Sequence, residues 1–207
     1  MSEVSTAPTG VGLVVPGDWW LVPLTDPEAM RRAVRGLVDR QFEGVDDQPL
    51  LKHDLRQRLS VSCAQAAAAN GRLMAVSLGQ VAGVPLTATV TTYWIPLGRP
   101  VGGSHLDDLT TNLIDIDRDS ADARYDKAGF EAGPALRRVR RSTSDDETLT
   151  QEPTELLIVD YWIEQPGDAG LAQLTFSTPM VMWEEPLVAL FDAIAGTAHW
   201  QHAPNRK

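Results

Sequence analysis

The chain has 207 residues, 43% hydrophobic and 22% charged, a size and balance suited to one globular domain with a sizeable core. Its 28 acidic and 18 basic side chains give a formal charge of −10, which disfavours non-specific binding to nucleic acid or an anionic membrane surface. No apolar run reaches the roughly 18 residues of a membrane-spanning helix. The single cysteine excludes an intramolecular disulfide and a cysteine-rich zinc site. No basic, apolar leader precedes the first element, so the expected address is the cytoplasm.

Residues 1–10 are small and polar and read as a flexible arm, 11–200 as a single domain, and 201–207 as a frayed tail. Asp18–Leu24 reads as a short strand, with Pro23 marking an edge or an end. Thr25–Glu28 offers a helix capping box with Pro27 in the first turn. Met30, Ala33, Val34, Leu37, Val38 and Phe42 then recur at the helical period. A second helix starts at Pro49 and stops at Asn70 and Gly71, with a stripe of Leu51, Leu55, Leu59, Cys63, Ala66 and Ala67.

Two strands are predicted near Leu73–Leu78 and Leu86–Ile95. The run 98–103 reads as a loop, and Ser104 caps a helix carrying Leu106, Leu109, Leu113 and Ile116. The charged stretch 115–134 offers at most one short helix, over Ala121–Ala128. Ala135–Ser142 reads as a strand and 142–153 as an acidic flexible loop. The clearest order lies in Leu156–Trp200: a β-branched and aromatic run, a turn at 165–170, a second strand at Leu171–Thr178, and a helix opening at Pro186. Few strands are separated by helices. The predicted fold is therefore α+β, a mainly antiparallel sheet flanked by amphipathic helices.

Asp115, Asp117, Asp119 and Asp126 occupy positions 1, 3, 5 and 12 of a calcium-loop pattern, in which several oxygens converge on one cation. Ser120 stands where that loop needs glycine, and Asp126 is one carbon shorter than the usual bidentate ligand. A solvated acidic loop capping a short helix is the competing and favoured reading. The basic run Arg137, Arg138, Arg140 and Arg141 matches an anion clamp in residue type. On a strand, however, period two sends Arg138 and Arg140 to one face and Arg137 and Arg141 to the other. Pairing with the acidic stretch Asp145, Asp146 and Glu147, or with cross-strand carboxylates, is the favoured alternative.

Asp160 sits mid-strand on the face of Leu156, Ile158 and Trp162, where an unpaired carboxylate is costly. A cross-strand ion pair with Arg138 or Arg140 is expected. The four histidines are scattered, and Cys63 reads as a small buried hydrophobe. No nucleophile elbow, zinc-protease motif, phosphate loop or dinucleotide fingerprint occurs. Trp19 and Trp20 are adjacent and must face opposite ways. One of them is a candidate groove or partner surface, against the stronger alternative that the second ring covers the sheet edge.

The spacing Trp19–Pro23 before the first helix, together with Leu174–Pro179 and Leu190–Thr197, resembles proteins of high-GC actinobacteria. The layout is similar to the PsbP/Mog1-type fold, and that resemblance implies a non-catalytic accessory or binding module. It transfers no functional residue. The leading expectation is thus an interaction or accessory module of a larger assembly or specialised secretion system, with another protein as partner and no cofactor. One alternative is a calcium- or magnesium-dependent protein or enzyme centred on the four aspartates. The other is a small-ligand binder using a threonine-rich or tryptophan-bearing sheet face.

Overall fold

Residues 8–44, 48–81, 83–97, 104–118, 122–144, 153–166 and 170–202 are described by the computed structural model. The chain begins with β1 (Gly10–Gly12), β2 (Trp19–Pro23), α1 (Pro27–Gln41) and α2 (Pro49–Ala68). Next come β3 (Gly71–Ser77), β4 (Gln80–Val81), β5 (Val84–Pro85), β6 (Thr89–Pro96) and α3 (His105–Ile116). It ends with β7 (Arg124–Phe130), β8 (Gly133–Ser144), β9 (Thr154–Glu164), β10 (Gly170–Thr178), α4 (Glu184–Ala195) and β11 (His199–Gln201). A 3-10 turn at Val181–Trp183 leads into α4.

Seven strands form one sheet in the order β2-β3-β6-β10-β9-β8-β7, and every neighbouring pair in it is antiparallel. The fold is α+β, as the element pattern predicts. On the first face, α1 and α2 cover β2 and β3 through Val22, Val34, Cys63 and Met74, while α3 covers β8–β10 through Leu106, Leu113, Leu136 and Trp162. On the second face, α4 and the β1–β11 ribbon close a larger core around Val159, Tyr161, Phe176 and Phe191. The Phe176 and Phe191 rings stack at 4.6 Å, and Tyr161 meets Phe176 edge-on at 5.7 Å. Such ring geometries add to the stabilisation that burial alone provides.

Local sequence accounts for most of the boundaries. The cap of α1 is Asp26 rather than the predicted Thr25, its carboxylate accepting from Glu28 N at 2.8 Å and Ala29 N at 3.2 Å. Asn70 takes φ 71° after α2, the left-handed conformation that ends helices. Gly71 is required there, because a Cβ would lie 2.6 Å from the Ala66 carbonyl oxygen. Only the C-terminal turns of α2 are buried, at Cys63 and Ala66. Leu51, predicted on its apolar stripe, is exposed together with Leu50.

Three other expectations change. The run 121–128 holds no helix in its described part: Arg124–Phe130 is β7, the edge of the sheet, paired to β8 through a two-residue turn. Its alternating charges suit an edge strand, where they discourage pairing with other chains. Gly10 and Gln201, predicted in the arm and the tail, are strand residues paired to each other. Ile116 is exposed rather than on the buried side of α3. No described helix is long and apolar enough to cross a membrane.

Candidate functional site

One transverse row on the first face of the sheet runs Tyr125–Arg138–Asp160–Thr175–Thr91–Met74–Val22, one residue from each strand in turn. Its left half is a polar network. Arg138 Nε and Nη2 donate to Asp160 Oδ2 at 3.1 and 2.7 Å, and Arg138 Nη1 donates to Asp117 Oδ2 at 3.2 Å. The Thr175 hydroxyl donates to Asp160 Oδ1 at 2.7 Å, and the Tyr125 hydroxyl donates to Asp117 Oδ2. Arg138 also lies over the Trp162 ring at 5.2 Å. Arg140 Nε approaches Asp160 Oδ2 at 3.8 Å.

Asp160 is 2% exposed, so this charge has almost no water and depends on those donors. Both of its oxygens are occupied from within the chain. The Tyr125 hydroxyl is raised from its ordinary value, first by burial and then by its bond to the Asp117 carboxylate. These contacts tie the C-terminal end of α3 to β7 and β8, and they fix the register of β8 on β9 on β10. The network is a structural junction.

The next row on the opposite face uses the remaining arginines as period two requires. Arg137 Nη1 donates to Asp192 Oδ2 at 2.6 Å and Nη2 to Asp126 Oδ2 at 2.8 Å. The buried Tyr161 hydroxyl donates to Asp192 Oδ1 at 2.7 Å, and burial, then the Asp192 carboxylate, pushes the phenol far above its usual range. Arg141 Nη2 meets Glu184 Oε2 at 3.1 Å, and Arg124 pairs with Glu184 Oε1. The Glu184 carboxyl is lowered, chiefly by the bond from Arg124 and then by Arg141, against burial, which raises it. The four arginines that resembled an anion clamp are therefore divided between two faces. Arg137 and Arg141 fasten α4 to the sheet at two points; Arg138 and Arg140 serve Asp160.

The aspartates of the calcium pattern do not converge. Asp115 pairs with Arg118 at 2.6 Å, Asp117 faces Tyr125 and Arg138, and Asp126 faces Arg137. Adjacent strand residues Tyr125 and Asp126 project to opposite faces, so Asp117 and Asp126 lie on opposite sides of the sheet. Asp119 is outside the described residues, as are Asp145, Asp146 and Glu147. Among the described residues, no group of three or more His, Cys, Asp or Glu side chains is placed to hold a metal ion.

The tryptophan pair is likewise absorbed by packing. Trp19 is buried in the second-face core. Trp20 turns to the first face and donates its indole N–H to the Ala33 carbonyl at 3.0 Å. Gly36 in α1 makes room for it, since a Cβ there would lie 2.8 Å from the ring. Trp19 is thus buried and Trp20 half-buried against α1. The exposed tryptophan is Trp183, 49% exposed, next to Met182 at 91%. Sequence reasoning missed this pair because Met180–Trp183 precedes a helix and reads as part of its apolar approach. The available signal was Pro179 and Pro186 bracketing the segment, which keeps it from joining either the strand or the helix interior.

The turn carrying Met182 and Trp183 is rigidly founded. Trp183 N donates to Met180 O at 3.0 Å, Met180 N donates to the Thr178 hydroxyl at 3.1 Å, and Glu184, the next residue, is clamped by two arginines. Met180 and Val181 pack on the core beneath it. Charge is distributed unevenly along the chain. Residues 1–100 hold nine acidic and nine basic side chains, so the whole net −10 resides in residues 101–207, which include this turn.

No protein-family model matches the chain, and no curated protein matches it. Among solved structures, the cyanobacterial PsbP protein (CyanoP) of Synechocystis is 13% identical, with a TM-score of 0.45 and coverage of 97% of this chain and 96% of that one. LpqN, involved in cell envelope biogenesis in Mycobacterium tuberculosis, is 10% identical, with a TM-score of 0.48 and coverage of 96% and 87%. Likenesses this distant concern the general fold and transfer no residue role.

Proposed function

We propose that the chain is a non-catalytic interaction module and that Met182 and Trp183 are its anchor into another protein. The observation that carries this reading is the exposure of two large apolar side chains on a turn held by Thr178, Met180 and the arginine-clamped Glu184. Aromatic and methionine side chains are enriched at the centres of protein interfaces, where an apolar body entering a pocket contributes most of the affinity. A preformed turn loses little conformational freedom on docking. The exposed Glu185 beside the turn suits a partner whose apolar groove is bordered by lysine or arginine.

The test uses the full chain and a Met182→Ser, Trp183→Ser variant. Both side chains are outside the core, so the variant keeps the wild-type melting temperature. Wild-type protein recovered from its host should carry a stoichiometric partner, with affinity that falls as salt screens the rim charges. The variant should bind that partner about 30-fold or more weakly, the loss of one hot spot. Equal partner binding by variant and wild type would defeat the assignment.

A further inference from the structure

A cavity of about 450 Å³ lies on the second face, where the β1–β11 ribbon passes beside the free edge of the sheet. This is well within the range of small-molecule sites, roughly 300–1,000 Å³. Its floor includes Leu73 of β3 and Thr92 of β6, which are register partners; its ribbon wall includes His199 and Gln201. Two features mark it as more than a packing gap between elements. Thr92 is 1% exposed, and among the described residues its hydroxyl has no hydrogen-bond partner. Buried polar groups are nearly always satisfied, so this hydroxyl is suited to an external acceptor. Arg72, exposed at the bulge between Gly71 and Leu73 of β3, stands at the cavity's rim and enters no ion pair among the described residues.

The ribbon is shaped to bring its side chains there. A Cβ on Gly12 would lie 2.4 Å from His199 Nε2 and 2.8 Å from Gln201 Nε2, so glycine in β1 lets both side chains lie across its backbone. His199 Nδ1 is 3.2 Å from the Thr197 carbonyl, which holds the ring in place. Val11, Leu13 and Leu21 supply apolar wall. The lining thus combines one uncommitted guanidinium, one unsatisfied hydroxyl and an apolar surface.

We propose that this cavity binds a small amphiphilic carboxylate. Arg72 takes the carboxylate, for which the guanidinium fork is matched. Thr92 donates its hydroxyl to a ligand oxygen, and Val11, Leu21 and Leu73 cover a short apolar chain. The site is separate from the Met182–Trp183 turn and stands or falls independently of partner binding.

The experiment titrates the full chain with hexanoate, using hexanol and inorganic phosphate as the apolar-only and anion-only probes, and follows melting temperature and calorimetric heat. A ligand that binds only the native state raises its stability by mass action. Hexanoate should give a saturable rise, with hexanol and phosphate at least tenfold weaker. Arg72→Gln and Thr92→Val should each weaken hexanoate about tenfold or more, the effect of losing one hydrogen bond to a charged group. Thr92→Val is near-isosteric and removes an unpaired buried hydroxyl, so it should fold with an unchanged or higher melting temperature. The proposal is overturned if wild type shows no saturable response, if phosphate binds as well as hexanoate, or if both variants titrate like wild type.

Discussion

Replacing Asp160 with alanine tests whether the polar row is as structural as its geometry implies. The substitution removes a carboxylate that is 2% exposed and accepts two Arg138 N–H groups and the Thr175 hydroxyl. Arg138, itself 8% exposed, keeps only Asp117 at 3.2 Å and its stack on Trp162. Breaking a buried pair from one side costs roughly 3–5 kcal/mol. The retained Asp117 contact places Asp160→Ala at the low end, about 3 kcal/mol. For a domain of this size that is a fall of about 6–12 °C in melting temperature. Arg138→Met should cost more, about 4 kcal/mol, since it leaves the deeper charge with only Thr175 and a distant Arg140. The double variant Asp160→Leu, Arg138→Met should recover part of the loss, because the deeper charge is gone while Asp117, among the described residues, keeps only the Tyr125 hydroxyl. Urea unfolding at pH 7 reads all three as shifts in midpoint at constant m. If Asp160→Ala falls within about 1 kcal/mol of wild type, the pair is not buried as described and the reasoning fails.

Tyr161→Phe removes the hydroxyl bonded to Asp192 and should cost about 1.5 kcal/mol by the same unfolding assay, since Asp192 retains Arg137. Asp26→Ala strips the cap from α1 and should cost about 1 kcal/mol, whereas Thr25→Ala should be close to neutral. Glu184→Gln tests the clamp on α4 against pH. A carboxyl lowered in the folded state contributes stability above its unfolded pKa and loses it as pH falls through its folded pKa. Wild type should therefore exceed the variant in stability at pH 7, and the gap should close as pH drops below the ordinary glutamate range. The buried Cys63 thiol is pushed up to about 11 by desolvation, so it should react with a thiol reagent at pH 8 only at the rate of unfolding, measurable by stopped reaction in increasing urea.

Periodicity carried the elements whose burial is one-sided. The stripe of α1 and the helical face at Leu187, Phe191 and Ile194 were legible because each repeats against a single core. The alternation of Arg137–Arg141 across two faces was legible for a similar reason, since a strand imposes period two on whatever residues it carries. Asp160 could be singled out because a charge inside an apolar strand demands a partner. The calcium pattern rests on linear spacing, which assumes a loop closing on itself. Asp117 faces Tyr125 and Asp126 faces Arg137, and pleating sends the adjacent β7 residues Tyr125 and Asp126 to opposite sides of the sheet.

By itself, then, the sequence determined the long elements with one buried face, the α+β class and the requirement for a cation beside Asp160, all of which follow from local periodicity and the cost of burying a charge. Tertiary structure decided which arginine meets which carboxylate, which tryptophan is left in solvent, and that a ribbon of the two ends leaves a lined cavity at the sheet edge. Those outcomes depend on register and layer packing between residues far apart in the chain: Thr92 with Leu73, Arg138 with Asp160, Gly12 with His199. Neighbouring residues along the chain carry no information about such distances.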